Sequence, residues 1–120
     1  MEQNSKKEFK RGDVFFVEKD DGDFFVPGEQ SRGRPAVIIQ NDKGNMHSPT
    51  VIVSYLTSKR KKFLPTHVLT TNTCCWSTIL CEQIDTISKT RLTRFVCHLS
   101  ERDMKRVDKA VSISLGLREV

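Results

Sequence analysis

The chain has 120 residues, a formal net charge of +5 and 37% hydrophobic content. At roughly 100–200 residues per domain this predicts one domain, and a chain of this size buries about two-thirds of the surface its unfolded form exposes, so it can hold a core. The longest apolar stretches, residues 36–39 and 51–53, fall far short of the ~20 residues that span a bilayer, and the opening MEQNSKKEFKR lacks the apolar region of a secretory signal.

In chain order, residues 1–10 are charged and polar and predict a loose tail, with a single domain over 11–120. Residues 14–18 (VFFVE) are rich in β-formers and predict a strand. KDDGDFFVPGEQSRG follows and, with its glycines, proline and acids, reads as a long loop. Residues 36–40 (AVIIQ) form a short, nearly continuous apolar run and predict a buried strand. NDKGN and the following Ser48-Pro49 predict a turn region. The clearest strand is 50–57 (TVIVSYLT), followed by a basic loop at 58–62 (SKRKK). Residues 66–69 predict a strand, 72–76 an irregular stretch, 77–83 and 85–88 two strands joined by a bend, and 95–98 one more short strand.

The C-terminal part changes period. Ser100 suits an N-cap, and Asp103 falls where a capping box places its acid. Met104, Val107, Val111 and Leu115 recur every three or four residues, one apolar helical face, and Gly116 suits the helix end. Five to seven short strands before one helix predict a mainly β chain, a small, strongly bent antiparallel barrel or sandwich.

Charge and cysteines bound the chemistry only loosely. A pI near 9.2 fits nucleic-acid binding and fits many ordinary proteins as well. Cys74, Cys75, Cys81 and Cys97 contain no C-x-x-C, and no histidine stands at a ligand spacing beside a cysteine pair. They read as reduced thiols of a cytoplasmic protein, Cys81 serving as a small hydrophobe. A redox role for the adjacent pair stays open without support.

No G-x-S-x-G elbow, P-loop, dinucleotide fingerprint or H-E-x-x-H occurs. His47, His67 and His98 lie on different segments, where a structural or surface role is the ordinary expectation; His67, following the basic loop in LPTHV, draws more interest. Arg34 stands directly before Pro35, which biases it toward extended backbone, and Thr57 closes the strand at 50–57. An arginine on rigid backbone, a hydroxyl and nearby lysines suit a phosphate, although a solvated basic loop and an edge arginine explain the same residues.

The segments KRGDVFFVE (10–18), GEQSRGRPAVIIQND (28–42), GNMHSPTVIVSYLTS (44–58), LPTHV (64–68), ILCEQIDTISKTRL (79–92) and DKAVSISLGL (108–117) together resemble the MazF/PemK (Kid) family of bacterial toxin endoribonucleases. The resemblance covers nearly the whole chain in order. It implies an SH3-like barrel of the MazF/PemK/CcdB type with a C-terminal helix, usually a symmetric homodimer. It also implies cytoplasmic, sequence-specific cleavage of single-stranded RNA with no metal and no cofactor, and a cognate antitoxin with an acidic, disordered tail. By the same resemblance Arg34, in GRP, and Thr57, in YLTS, are the catalytic pair. Glu29 and Gln30 match an E-Q pair in a first-loop lid. Ser58, Lys59 and Lys61 would touch phosphates, Pro65, Thr66 and His67 would meet bases, and Gln83 would hydrogen-bond a base edge; Glu82 and Gln83 fit a sheet or dimer contact equally well.

Two segments depart from the family's pattern: the acidic first loop with Asp20, Asp21, Asp23, Phe24 and Phe25, and NTCCW at 72–76. Both bear on which RNA sequence is recognised. Two other functions fit the fold: a CcdB-like toxin that poisons a protein such as DNA gyrase, which needs no Arg/Thr pair, and a nucleic-acid-binding barrel without activity.

Overall fold

A computed structural model describes residues 8–18, 33–59, 61–73 and 76–120. The expectations placed on Glu29, Gln30, the acids and phenylalanines of the first loop, Cys74 and Cys75 lie outside these residues. The described elements are β1 (Asp13–Glu18), β2 (Gly33–Ile38), α1 (Asp42–His47), β3 (Thr50–Thr57), β4 (His67–Thr70), β5 (Ser77–Ser88), a 3₁₀ turn (Lys89–Arg91), β6 (Leu92–His98) and α2 (Glu101–Ser114). Their mainly β character is the one the strand pattern predicts.

All strand pairs are antiparallel, in the order β4-β5-β3-β2-β1-β6. Side chains alternate across a strand, so each central strand feeds two cores. Val14, Val37, Leu56 and Ile79 point to one side, where Val107 and Ala110 of α2 complete the cluster. Phe15, Val17, Ala36, Ile38, Val51 and Val53 point to the other, joined by Ile87 and Leu92. Phe9, at the edge of the predicted tail, packs edge-on to Phe15 with ring centroids 5.2 Å apart. Among the described residues no helix is long and apolar enough to cross a membrane.

The ends of α2 follow its sequence signals with one change. The Ser100 hydroxyl accepts from the Asp103 N–H at 3.1 Å. The reciprocal half of the box is absent: the Ser100 N–H donates to Asn72 Oδ1 (2.9 Å), while the Asp103 carboxylate takes the Thr70 hydroxyl (2.7 Å) and Arg106 Nη1 (2.9 Å). Asp103 thus ties the helix to β4. At the far end Gly116 holds a φ of +77°, with Leu117 N–H bonded to Ser112 O and Gly116 N–H to Ile113 O. This is the 6→1 and 5→2 pair of a Schellman ending. It places Leu115 beyond the helix, 58% exposed rather than on the packed face.

Two further expectations are corrected. Residues 42–47 form helix α1, not a turn: the Asn41 side chain caps the Gly44 N–H at 2.8 Å, and buried Asn45 bonds Gln40 O and Asp42 Oδ1. The predicted strands at 77–83 and 85–88 are one strand, β5. Its bend is a bulge: the partner of Ser54 is Ile84, that of Tyr55 is Leu80, and residues 81–83 stand opposite no β3 residue. The Cys81 N–H is instead bonded to Thr66 O at 2.9 Å. Such a bulge bends a strand and re-aims its side chains.

Candidate active site

Arg34 enters the site through β2. Gly33, just before it, has a φ of +124°, and a Cβ there would lie 1.9 Å from the Val17 carbonyl oxygen. Pro35 offers no N–H to a ladder, and the β2–β3 pairing ends one residue on, at Ala36 opposite Tyr55. Carried two residues further, that register sets Arg34 across from Thr57, on the face that holds Ala36 and Tyr55. The two residues that the family resemblance pairs therefore share one rim of the sheet.

Thr57 is buried, and its hydroxyl oxygen accepts the Lys59 N–H at 3.1 Å. That turn fixes the oxygen and leaves the O–H to donate. Arg34 Nη1 donates to Gln83 Oε1 at 3.1 Å, and the guanidinium carbon stands 4.9 Å from the centroid of the Tyr55 ring. The Tyr55 hydroxyl donates to Asp85 Oδ2 at 2.9 Å. Gln83 reaches Arg34 from within the β5 bulge, where it has no β3 partner.

The same bulge presents Glu82 beside β4. Its carboxylate accepts from Thr66 Oγ1 at 2.9 Å and lies 3.1 Å from His67 Nε2. Burial pushes the Glu82 carboxyl up, but hydrogen bonds from His67, its own backbone and Thr66 outweigh this and hold it below the usual carboxylate range. Stability from such a group is present above its ordinary pKa of 4.5 and is lost as pH falls through the lower folded value. Glu82→Gln should therefore be less stable than the parent at pH 7, with the gap closing below pH ~4. Urea unfolding midpoints at the two pH values test this; a gap equal at both would contradict it. Cys81 faces the opposite way, fully buried, and burial followed by the Glu82 and Asp108 charges pushes its thiol up to about 12. It is an inert core residue.

Other site expectations divide. Ser58, Lys59 and Lys61 line a hollow of about 370 Å³ with Leu69, Trp76, Ser77 and Thr78. Lys61 also borders a second one, about 260 Å³, with His67, Glu82 and Gln83. The basic loop thus separates two grooves. Thr66 and His67 hold Glu82, and Pro65 lies toward α2 with Phe63 and Val68. Tyr55 and Asp85 were missed by the sequence reading. Tyr55 had a signal, standing two residues before Thr57 on the same strand face; Asp85 has none, because its reach to Tyr55 depends on the bulge.

Fold and rim together define a small β-sheet protein with an arginine–hydroxyl pair beside basic grooves. The profile of the PemK-like, MazF-like toxins of type II toxin-antitoxin systems matches residues 10–115, and the chain belongs to that family. It is 43% identical over 117 residues to the Staphylococcus saprophyticus protein named Endoribonuclease MazF, covering 92% of this chain and 94% of the relative. To Bacillus subtilis Endoribonuclease EndoA it is 45% identical over 113 residues, covering 90% and 95%. Among solved structures, a mycobacterial endoribonuclease in complex with its cognate antitoxin shares the fold at a TM-score of 0.74 and 22% identity, covering 92% of this chain and 98% of that one. MazF from Deinococcus radiodurans does so at 0.73 and 16%, covering 92% and 99%.

Proposed function

We propose that Arg34 and Thr57 carry the reaction of this endoribonuclease toxin, with single-stranded RNA as substrate. The observation that supports the assignment is the pairing of Ala36 with Tyr55, a register that, carried two residues further, brings Arg34 and Thr57 to one rim, with Arg34 held by Gln83 and Tyr55. In the reaction the 2′-hydroxyl oxygen bonds to the adjacent phosphorus and gives up its proton, the P–O5′ bond breaks, and the 5′-oxygen takes a proton. Arg34 clamps the phosphate and stabilises its developing charge with donors already in place. A guanidinium stays protonated at accessible pH, so Arg34 acts as an electrostatic clamp that donates hydrogen bonds, not as base; solvent water takes the 2′-hydroxyl proton and returns one to the 5′-oxygen. Thr57 donates to a non-bridging oxygen.

Ser58, Lys59 and Lys61 lead the strand's phosphates away from the rim, and unpaired bases enter the groove beside His67 and Gln83. By the family's pattern Glu29 and Gln30, which lie outside the described residues, would also contact the RNA. The partner of a type II toxin is its antitoxin; we further propose that its acidic tail competes for the same basic grooves, in the cytoplasm, with two copies of the chain forming the working unit. Neither a gyrase-poisoning nor a non-catalytic barrel is favoured, because relatives matching almost end to end are named endoribonucleases.

The mechanism needs no metal, and its chemistry dictates the ends it leaves. Purified protein with a long single-stranded RNA in EDTA should still cleave, leaving a 5′-hydroxyl on one fragment and a 2′,3′-cyclic phosphate on the other. Cleavage abolished by EDTA, or fragments bearing 5′-phosphates, would sink it.

A further inference from the structure

We propose that Tyr55 is a positioning residue for Arg34, and that Asp85 holds it in that role; the proposal rests on the reading of Arg34 as the phosphate clamp. An arginine has a long, freely rotating stem, and only one of its many rotamers aims the fork at a given phosphate. Here the guanidinium is met from two sides. The Tyr55 ring lies beneath it at 4.9 Å, and Gln83 Oε1 takes Nη1 at 3.1 Å. Tyr55 is itself immobilised, since its ring is buried in the sheet's second core and its hydroxyl is bonded to Asp85 Oδ2 at 2.9 Å. That bond to a carboxylate draws the phenol proton outward and enriches the ring face, which strengthens its attraction for a cation.

The parts come from three neighbouring strands in a fixed relation. Arg34 lies on β2, Tyr55 on β3 at the last paired position of the β2–β3 ladder, Gln83 at the end of the β5 bulge and Asp85 just past it, paired with Val53. The bulge re-aims Gln83 toward β2, while Asp85, opposite Val53, stands on the face that holds Tyr55. One reaches the guanidinium directly and the other reaches it through the tyrosine. A donor aimed before the substrate arrives needs no reorganisation during the reaction. The effect therefore falls on kcat, while contacts to the rest of the RNA, which set KM, are untouched.

Steady-state cleavage in EDTA tests this with Tyr55→Leu, Tyr55→Phe and Asp85→Asn. Removing the ring face should lower kcat about tenfold, between the values for an exposed and a desolvated cation–ring contact, with KM within about twofold. Tyr55→Phe keeps the face and should restore most of the rate. In an Arg34→Ala background, Tyr55→Leu should cost nothing more, because the residue acts through the missing guanidinium.

Unchanged kcat in Tyr55→Leu, or a full further loss in the Arg34→Ala background, overturns the proposal. Should Tyr55→Leu fail to fold, the exposed Asp85→Asn and a spectroscopic signature carry the test. Tyr55 is the chain's one tyrosine, so its near-UV absorption should differ between the parent and Arg34→Ala; identical spectra together with unchanged kcat in Asp85→Asn overturn it. Wild-type cleavage by Arg34→Ala would instead topple the reading beneath, a result distinct from any of these.

Discussion

Arg34→Ala is expected to slow RNA cleavage by roughly a hundredfold to a thousandfold, the usual loss when one preorganised transition-state donor is removed. The size follows from what stands around the guanidinium. Gln83 and Tyr55 hold it at the rim opposite Thr57, with the grooves of the basic loop nearby. No lysine of the basic loop can substitute, because Lys59, Lys61 and Lys62 are exposed ends of flexible stems, and an ammonium is a point charge without a planar fork. For the same reason Arg34→Lys should recover only part of the rate: it keeps the charge but loses the bidentate geometry and much of the stacking on Tyr55. The measurement is the initial rate on one long RNA in EDTA, with far-UV circular dichroism to establish that the variants fold. Parent-like cleavage by folded Arg34→Ala would remove Arg34 from the reaction.

How far this site could be read before the fold was known depends on which contacts are local. Pro35 after Arg34 and the strand end at Thr57 are features of the chain itself, but they fit a solvated basic loop and an edge arginine equally well, and it is the family resemblance that singles the pair out. Their meeting required only that the strands at 36–40 and 50–57 be neighbours, as they are. The support beneath Arg34 is non-local. Gln83 and Asp85 reach it because three residues of β5 bulge away from β3, and the sequence marks that place only as a bend.

Helix α2 announced itself because Ser100 and Gly116 carry its caps in their own side chain and backbone. Helix α1 did not, since it is only six residues long and its Gly44 and Asn45 are poor helix formers. It persists through Asn45, which bonds Gln40 and Asp42 and whose carbonyl takes the Lys89 ammonium from the 3₁₀ turn. Such partners are visible only once the chain is folded. The same holds for Glu82, whose hydrogen bonds to Thr66 and His67 join β4 to the bulge.

The largest expected effect on stability lies in β1. Phe15→Ala should destabilise the protein by about 3–5 kcal/mol, the cost of a large-to-small change where the surroundings cannot collapse. Phe15 is fully buried. Its ring is met edge-on from both sides, by Phe9 at 5.2 Å and Phe95 at 5.5 Å. Removing it takes away two aromatic contacts as well as the buried area, and opens a hole beneath three strands, since Phe15 pairs with Ala36 of β2 and Phe95 of β6. For a domain of this size the loss corresponds to a fall in Tm of about 10–20 °C, measured at one protein concentration so that self-association does not enter. Phe15→Leu keeps most of the volume and should lose less than half as much. A Phe15→Ala midpoint within about 1 kcal/mol of the parent would mean that β1 and β6 close the gap, against the close packing expected of a core. The prediction also reaches the active site, because Ala36 lies two residues from Arg34 on the strand face above the hole. Below its melting temperature, Phe15→Ala should therefore lose more cleavage rate than the fraction unfolded explains, and Phe15→Leu should not.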